Sequence, residues 1–75
     1  MKKVIVEVID KETRESLEKI SVTRARILKM DERTYPHIMR ANALDIAKRS
    51  FCKEYEEDYR TAGARYEFKV IEEFR

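Results

Sequence analysis

One cysteine, one proline and one glycine stand in this chain of 75 residues, which has no tryptophan, no glutamine and a single asparagine. Each shortage removes a class of explanation. A lone cysteine, Cys52, leaves no internal disulfide and no cysteine cage for a metal within one chain, and it favours a reducing compartment. A single glycine cannot make the glycine-rich loops that cradle phosphates in nucleotide-binding folds. The longest apolar runs, such as VIV, fall far short of the roughly 20 residues that cross a bilayer. The opening MKKVIVEVID lacks the apolar stretch of a secretory signal. The expectation is a cytoplasmic protein with no membrane partner. Charge of one sign is also missing, because 17 basic residues are nearly matched by 15 acidic ones, for a net charge of +2. Any electrostatic argument about partners must therefore be local.

What remains is a charged chain whose apolar residues fall into regular periods, as in a folded domain rather than a disordered one. Residues 1–75 make one domain, since a chain this short buries only about 60% of its unfolded surface and supports one thin core. The first legible element is KVIVEVID, Lys3 to Asp10. Val4, Val6 and Val8 alternate with Lys3, Ile5, Glu7 and Ile9, the pattern of a strand with one buried face. KETRE then suits a hairpin connection, although no glycine supplies a positive φ. SLEKISVTRARI follows, with β-branched Ile20, Val22 and Thr23, and predicts a second strand antiparallel to the first. A helix is its rival, but one that puts Arg24 in the middle of an apolar face. ILKMDERTY reads either as a turn of helix or as an irregular loop.

From there the pattern predicts one long helix. Thr34 is its expected N-cap, Pro36 is tolerated in the first turn, and Gly63 is its expected left-handed C′ residue after about Ala62. ARYEFKVIEEF alternates again, with Tyr66, Phe68 and Val70 on one side and Arg65, Glu67, Lys69, Ile71 and Glu73 on the other. The fold class is α+β, a three-stranded sheet in β-β-α-β order with one long helix packed on one face. The third strand is expected to pair with the first and to run parallel to the second.

The helix carries two apolar stripes at about 100° per residue. One comprises Ala41, Leu44, Ala47, Phe51, Tyr55, Tyr59 and Ala62, with Cys52 at its margin, and is expected to face the sheet. The other comprises Met39, Ala43 and Ile46, with Ser50 continuing the line. Three readings of the second stripe stand: incidental exposure, cover by the segment from Ile27 to Met30, or a partner-binding surface for a second copy or another protein. The sheet offers a further surface, because one helix on one face leaves the other face open with Ile5, Ile9 and Ile71 on it. Two copies could stack there or extend the sheet through an edge.

Candidates for chemistry are few. His37 and Cys52 lie fifteen residues apart on the expected helix, more than about 20 Å along its axis at 1.5 Å per residue, which excludes a nucleophile and base pair within one chain. The run EYEED places its carboxylates on different helical sides, and no loop supplies the oxygen cage that calcium or magnesium needs. No cofactor, no metal and no catalytic constellation follow, and the expectation is a non-enzyme. Nucleic acid is the stronger rival. Arg24, Arg26, Lys29, Arg33 and Arg40 are interleaved with Tyr35 and His37, so that phosphate contacts and base stacking are both available. No zinc finger, helix-turn-helix or RNP pattern accompanies them. The first functional expectation is a small binding module acting by protein–protein contact as a homo-oligomer. In type it looks like the small regulatory or accessory proteins of phages and mobile elements, which obstruct a larger protein, although no motif carries that likeness.

Overall fold

The computed structural model describes residues 3–72, so Glu73 and Phe74 of the last strand-like stretch lie outside the described residues. Six elements follow one another: β1 (Lys3–Asp10), β2 (Ser16–Thr23), α1 (Arg24–Met30), α2 (Pro36–Tyr55), α3 (Tyr59–Arg65) and β3 (Tyr66–Glu72). The sheet order is β2-β1-β3, and both pairings with β1 are antiparallel. The third strand therefore pairs with the first and runs parallel to the second, as the sequence predicts.

Between β1 and β2, Asp10 organises the turn. Its carboxylate accepts hydrogen bonds from the backbone N–H of Glu12 at 2.8 Å and Thr13 at 3.1 Å, a local turn that this short side chain suits. Arg14 takes the positive φ of 64°. The inner face of the sheet is set by cross-strand pairs: Val4 opposite Val22, and Val6 opposite both Ile20 and Val70. Val8 lies between Glu18 and Phe68.

The stretch SLEKISVTRARI is two elements rather than one strand. β2 stops at Thr23, whose hydroxyl accepts from the Arg26 N–H and so caps α1. Thr is β-branched and also a good N-cap, so one residue ends the strand and starts the helix. Helix α1 then carries Ile27, fully buried, over the first half of α2.

The long helix is also divided. α2 begins after Tyr35, which makes no side-chain cap, so Thr34 is not the N-cap. It ends at Glu56, whose φ of 55° is the left-handed stop expected of Gly63. Gly63 instead sits inside α3 with no positive φ. The break has a physical cause: the acidic run after Lys53 opposes the negative end of the helix, and Asp58 caps a new one by accepting from the Arg60 N–H at 2.8 Å.

The second stripe is covered by α1 and the sheet. Met39, Ala43 and Ile46 are 5%, 0% and 8% exposed and pack with Val4, Val6, Val22, Ile27 and Ala47. They are core, and the expectation that they form a partner-binding surface is corrected. Halfway along α2 the buried side rotates to Phe51 and Cys52, which meet Val8, Ala62 and Tyr66 under α3. The Phe51 ring lies edge-on to Tyr66 and Phe68 at 4.9 and 5.7 Å between centroids. In the stripe expected to face the sheet, Ala41 is exposed, Leu44 is half-buried and Tyr55 is 48% exposed.

Candidate binding surfaces

With the inner face closed by α2, the residues of the outer face follow from the register. Glu7 lies between Lys19 and Lys69, and these three form a charged band across all three strands. Ile5 and Ile9 flank the band, half-buried. Each outer strand has a register shift against β1, one leaving Leu17 without a partner and the other leaving Ile71. A bulge re-aims the extra side chain. Alternation from Glu18 and Val70 turns both outward, and each is 41% exposed. The face thus carries two aliphatic corners, Ile5 with Ile71 and Ile9 with Leu17, separated by the band.

The edges of the sheet form a second surface. β2 and β3 are its outer strands, and half of an outer strand's backbone N–H and C=O groups point away from the sheet. Beside β3 runs a groove of about 890 Å³, lined by Arg40 and Leu44 of α2 and by every residue from Glu67 to Glu72. Consecutive rather than alternate strand residues line it, so the groove follows the strand's backbone edge and not one of its faces. Its apolar part is Leu44, Phe68 and Val70, which pack on the core from one side and remain partly exposed on the other, together with the exposed Ile71.

The basic stretch is divided between α1, the loop and α2. Arg26, Lys29 and Met30 share a shallow hollow with Ile46 and Arg49. Arg33 is turned onto Asp31, with its Nη2 2.6 Å from Oδ2, and these hydrogen bonds hold the Asp31 carboxyl well below the usual carboxylate range. Arg24 and Arg40 are also engaged in interactions of their own. Tyr35 is 63% exposed and stacked on His37 at 6.1 Å between centroids. The structure therefore joins Arg26 and Lys29 in one hollow but commits Arg33 to an internal partner.

His37 and Cys52 lie on the same unbroken helix, about 22 Å apart along its axis at 1.5 Å per residue. Burial pushes the Cys52 thiol up, away from the thiolate form. Among the described residues no group of three or more His, Cys, Asp and Glu is placed to hold a metal ion. No helix among them is long and apolar enough to cross a membrane. A polar cluster joins α2 to α3. The Tyr59 hydroxyl donates to Asp45, Arg49 donates to the same carboxylate at 2.9 Å, and Lys48 and Arg49 each lie 4.6 Å from the Tyr59 ring centroid. Partial burial raises the Asp45 carboxyl, but the hydrogen bonds from Tyr59 and Arg49 outweigh it and hold the group low. The same bond to Asp45, first, and partial burial push the Tyr59 hydroxyl up. Its partners are all internal, and its work is to fix α3 on α2.

Sequence reasoning missed Leu17, although alternation with Ile20 and Val22 turns it outward, and the groove residues Leu44, Phe68 and Val70, which their periodicity assigns to the core. The alternation Glu67-Phe68-Lys69-Val70 at an outer strand was the signal available for the groove. Comparison with protein-family models, with curated proteins and with solved structures gives no match, so function rests on these surfaces alone.

Proposed function

We propose that the protein is a non-enzymatic, cytoplasmic binding module that works as a homo-oligomer, its copies joined through the sheet. The observation that carries this is the asymmetry of the sheet. One face is closed by α2, while the other face carries Ile5, Ile9, Leu17 and Ile71 under no described element, and β2 and β3 are edge strands with no further strand beside them among the described residues. Open edges of this kind are sites where a second chain adds. A domain of this length also has one thin core and gains stability by association. An accessory role, in which the assembled surface obstructs a larger protein, uses the outer face that edge association leaves free. Light scattering coupled to size exclusion tests the reading, since an oligomer gives a multiple of the 9.0 kDa chain mass.

Nucleic-acid binding is the second reading, favoured by one observation: Arg26 and Lys29 meet in one hollow, while Tyr35 stands exposed for stacking. Under it, Arg26→Ala with Lys29→Ala weakens retention of single-stranded oligonucleotides and flattens its dependence on salt. Under the first reading no oligonucleotide is retained even at low salt.

A further inference from the structure

The outer face and the β3 edge are not equivalent as places for a second copy. Stacking two outer faces buries the band of Lys19, Glu7 and Lys69, which must be stripped of water. The edge makes no such demand. Its exposed charges stay at the rim, while Phe68 and Val70 offer apolar surface to a strand laid beside them.

Which strand fits is fixed by alternation. In antiparallel pairing, residues directly opposite share a face, so an incoming strand must place apolar residues opposite Phe68 and Val70, an acid opposite Lys69 and a base opposite Glu67. Read from its N-terminus, that strand is apolar, acidic, apolar, basic. The chain contains this order at Tyr66-Glu67-Phe68-Lys69, which is β3 itself.

We infer that two copies of the protein pair through their β3 edges, antiparallel and centred on Phe68, to form one continuous six-stranded sheet. This deepens the self-association proposed above and rests on it. In this register Phe68 lies opposite Phe68 of the second copy, Tyr66 opposite Val70, and Glu67 opposite Lys69 on the solvent side, the last two contacts each occurring twice. Neighbouring registers that keep the faces aligned do worse. Centring on Lys69 sets the two Lys69 side chains against each other, and centring on Glu67 does the same with the two Glu67 carboxylates. Centring on Val70 sets Phe68 against Glu72 and Lys69 against Ile71. Glu67 now faces Arg14 at 3.7 Å, an exposed pair of little strength that leaves its carboxylate able to accept from a second cation.

The test exchanges the charges one at a time. Glu67→Lys places lysine against lysine at both rim contacts, and Lys69→Glu places acid against acid. Each change turns two attractions into two repulsions and weakens the dimer on the order of tenfold to a hundredfold. Neither variant loses its circular dichroism spectrum, because both side chains are on the solvent side of the sheet. Mixing the two variants restores the dimer, since every rim contact then joins a lysine to a glutamate. Dilution series by light scattering read all three results. If the unaltered protein is a monomer, the self-association reading fails and takes this one with it. If it is a dimer whose affinity Glu67→Lys leaves unchanged, or if the mixture stays monomeric, the edge register alone is overturned. A dimer that survives Glu67→Lys but is dissolved by Leu17→Asp joins through the outer face instead.

Discussion

Replacing Ile46 by alanine distinguishes a core residue from a docking residue. Ile46 is 8% exposed and packs within the cluster that includes Ile27, Met39 and Ala43, so its side chain is removed from water by α1 as well as by the sheet. Truncation deletes three buried carbons and leaves a cavity between two elements, a change that costs about 2–5 kcal/mol in other cores. Total stability for a domain of this length is about 4–11 kcal/mol at 0.05–0.15 kcal/mol per residue. The variant therefore loses a large part of its stability, and its melting temperature falls by roughly 10 °C or more at 4–8 °C per kcal/mol. The matching control is Leu17→Ala, at a site 41% exposed, where the loss is below about 1 kcal/mol. Urea unfolding followed by circular dichroism, at one fixed protein concentration, reads both. If Ile46→Ala costs no more than Leu17→Ala, α1 does not cover this side of α2, and the assignment of the second stripe to the core is wrong.

Other outcomes follow from particular sites. Gly63→Ala stabilises the protein by about 0.5–1 kcal/mol, because the residue lies inside a helix at negative φ and an added Cβ meets only the flexible end of Lys48, at 3.4 Å. Destabilisation on thermal melting contradicts this. The Asp45 carboxyl is held below its unfolded value, so its contribution is full above the ordinary carboxylate range and is lost as pH falls through about 4 and below. Asp45→Asn flattens part of that acid limb in unfolding curves collected from neutral pH downward, and an unaltered limb rules the contribution out. The Tyr59 hydroxyl is held above its unfolded value, so its contribution is present at neutral pH and is lost as pH rises past about 10. Tyr59→Phe removes the alkaline decline assigned to this group, and persistence of the whole decline means another tyrosine causes it.

The strands were legible because a period of two with one buried face leaves little freedom: the valines of β1 and the Tyr66, Phe68, Val70 series each admit one orientation. The helical part was less so. Thr23 serves a strand and a helix at once, and a single periodic reading of Leu17 to Ile27 cannot register the change of element. The pattern predicts one long helix because Tyr55, Tyr59 and Ala62 continue the period of Phe51, although Asp58 three residues after Tyr55 is an N-cap signal. Its two stripes looked like one core face and one spare face because α2 changes neighbours midway, from α1 to α3, and the buried side turns with them. For the candidate surfaces, Ile5, Ile9 and Ile71 were legible from alternation alone. Leu17 was legible in the same way, since it alternates with Ile20 and Val22, and only its missing cross-strand partner depends on the register shift. The alternation of β3 marks the strand that borders the groove, but the groove itself was not legible, because it depends on how far α2 falls short of covering the edge.

Self-association through the sheet is the central claim, and the mass of the purified protein in solution tests it most directly. Light scattering coupled to size exclusion, at low and at high salt, is expected to give twice the 9.0 kDa chain mass in both. In the proposed dimer, backbone pairing and the Phe68 contact supply what salt does not screen, and the rim charges supply only what it does. A mass of one chain at both salt concentrations, at all protein concentrations reached, contradicts the account.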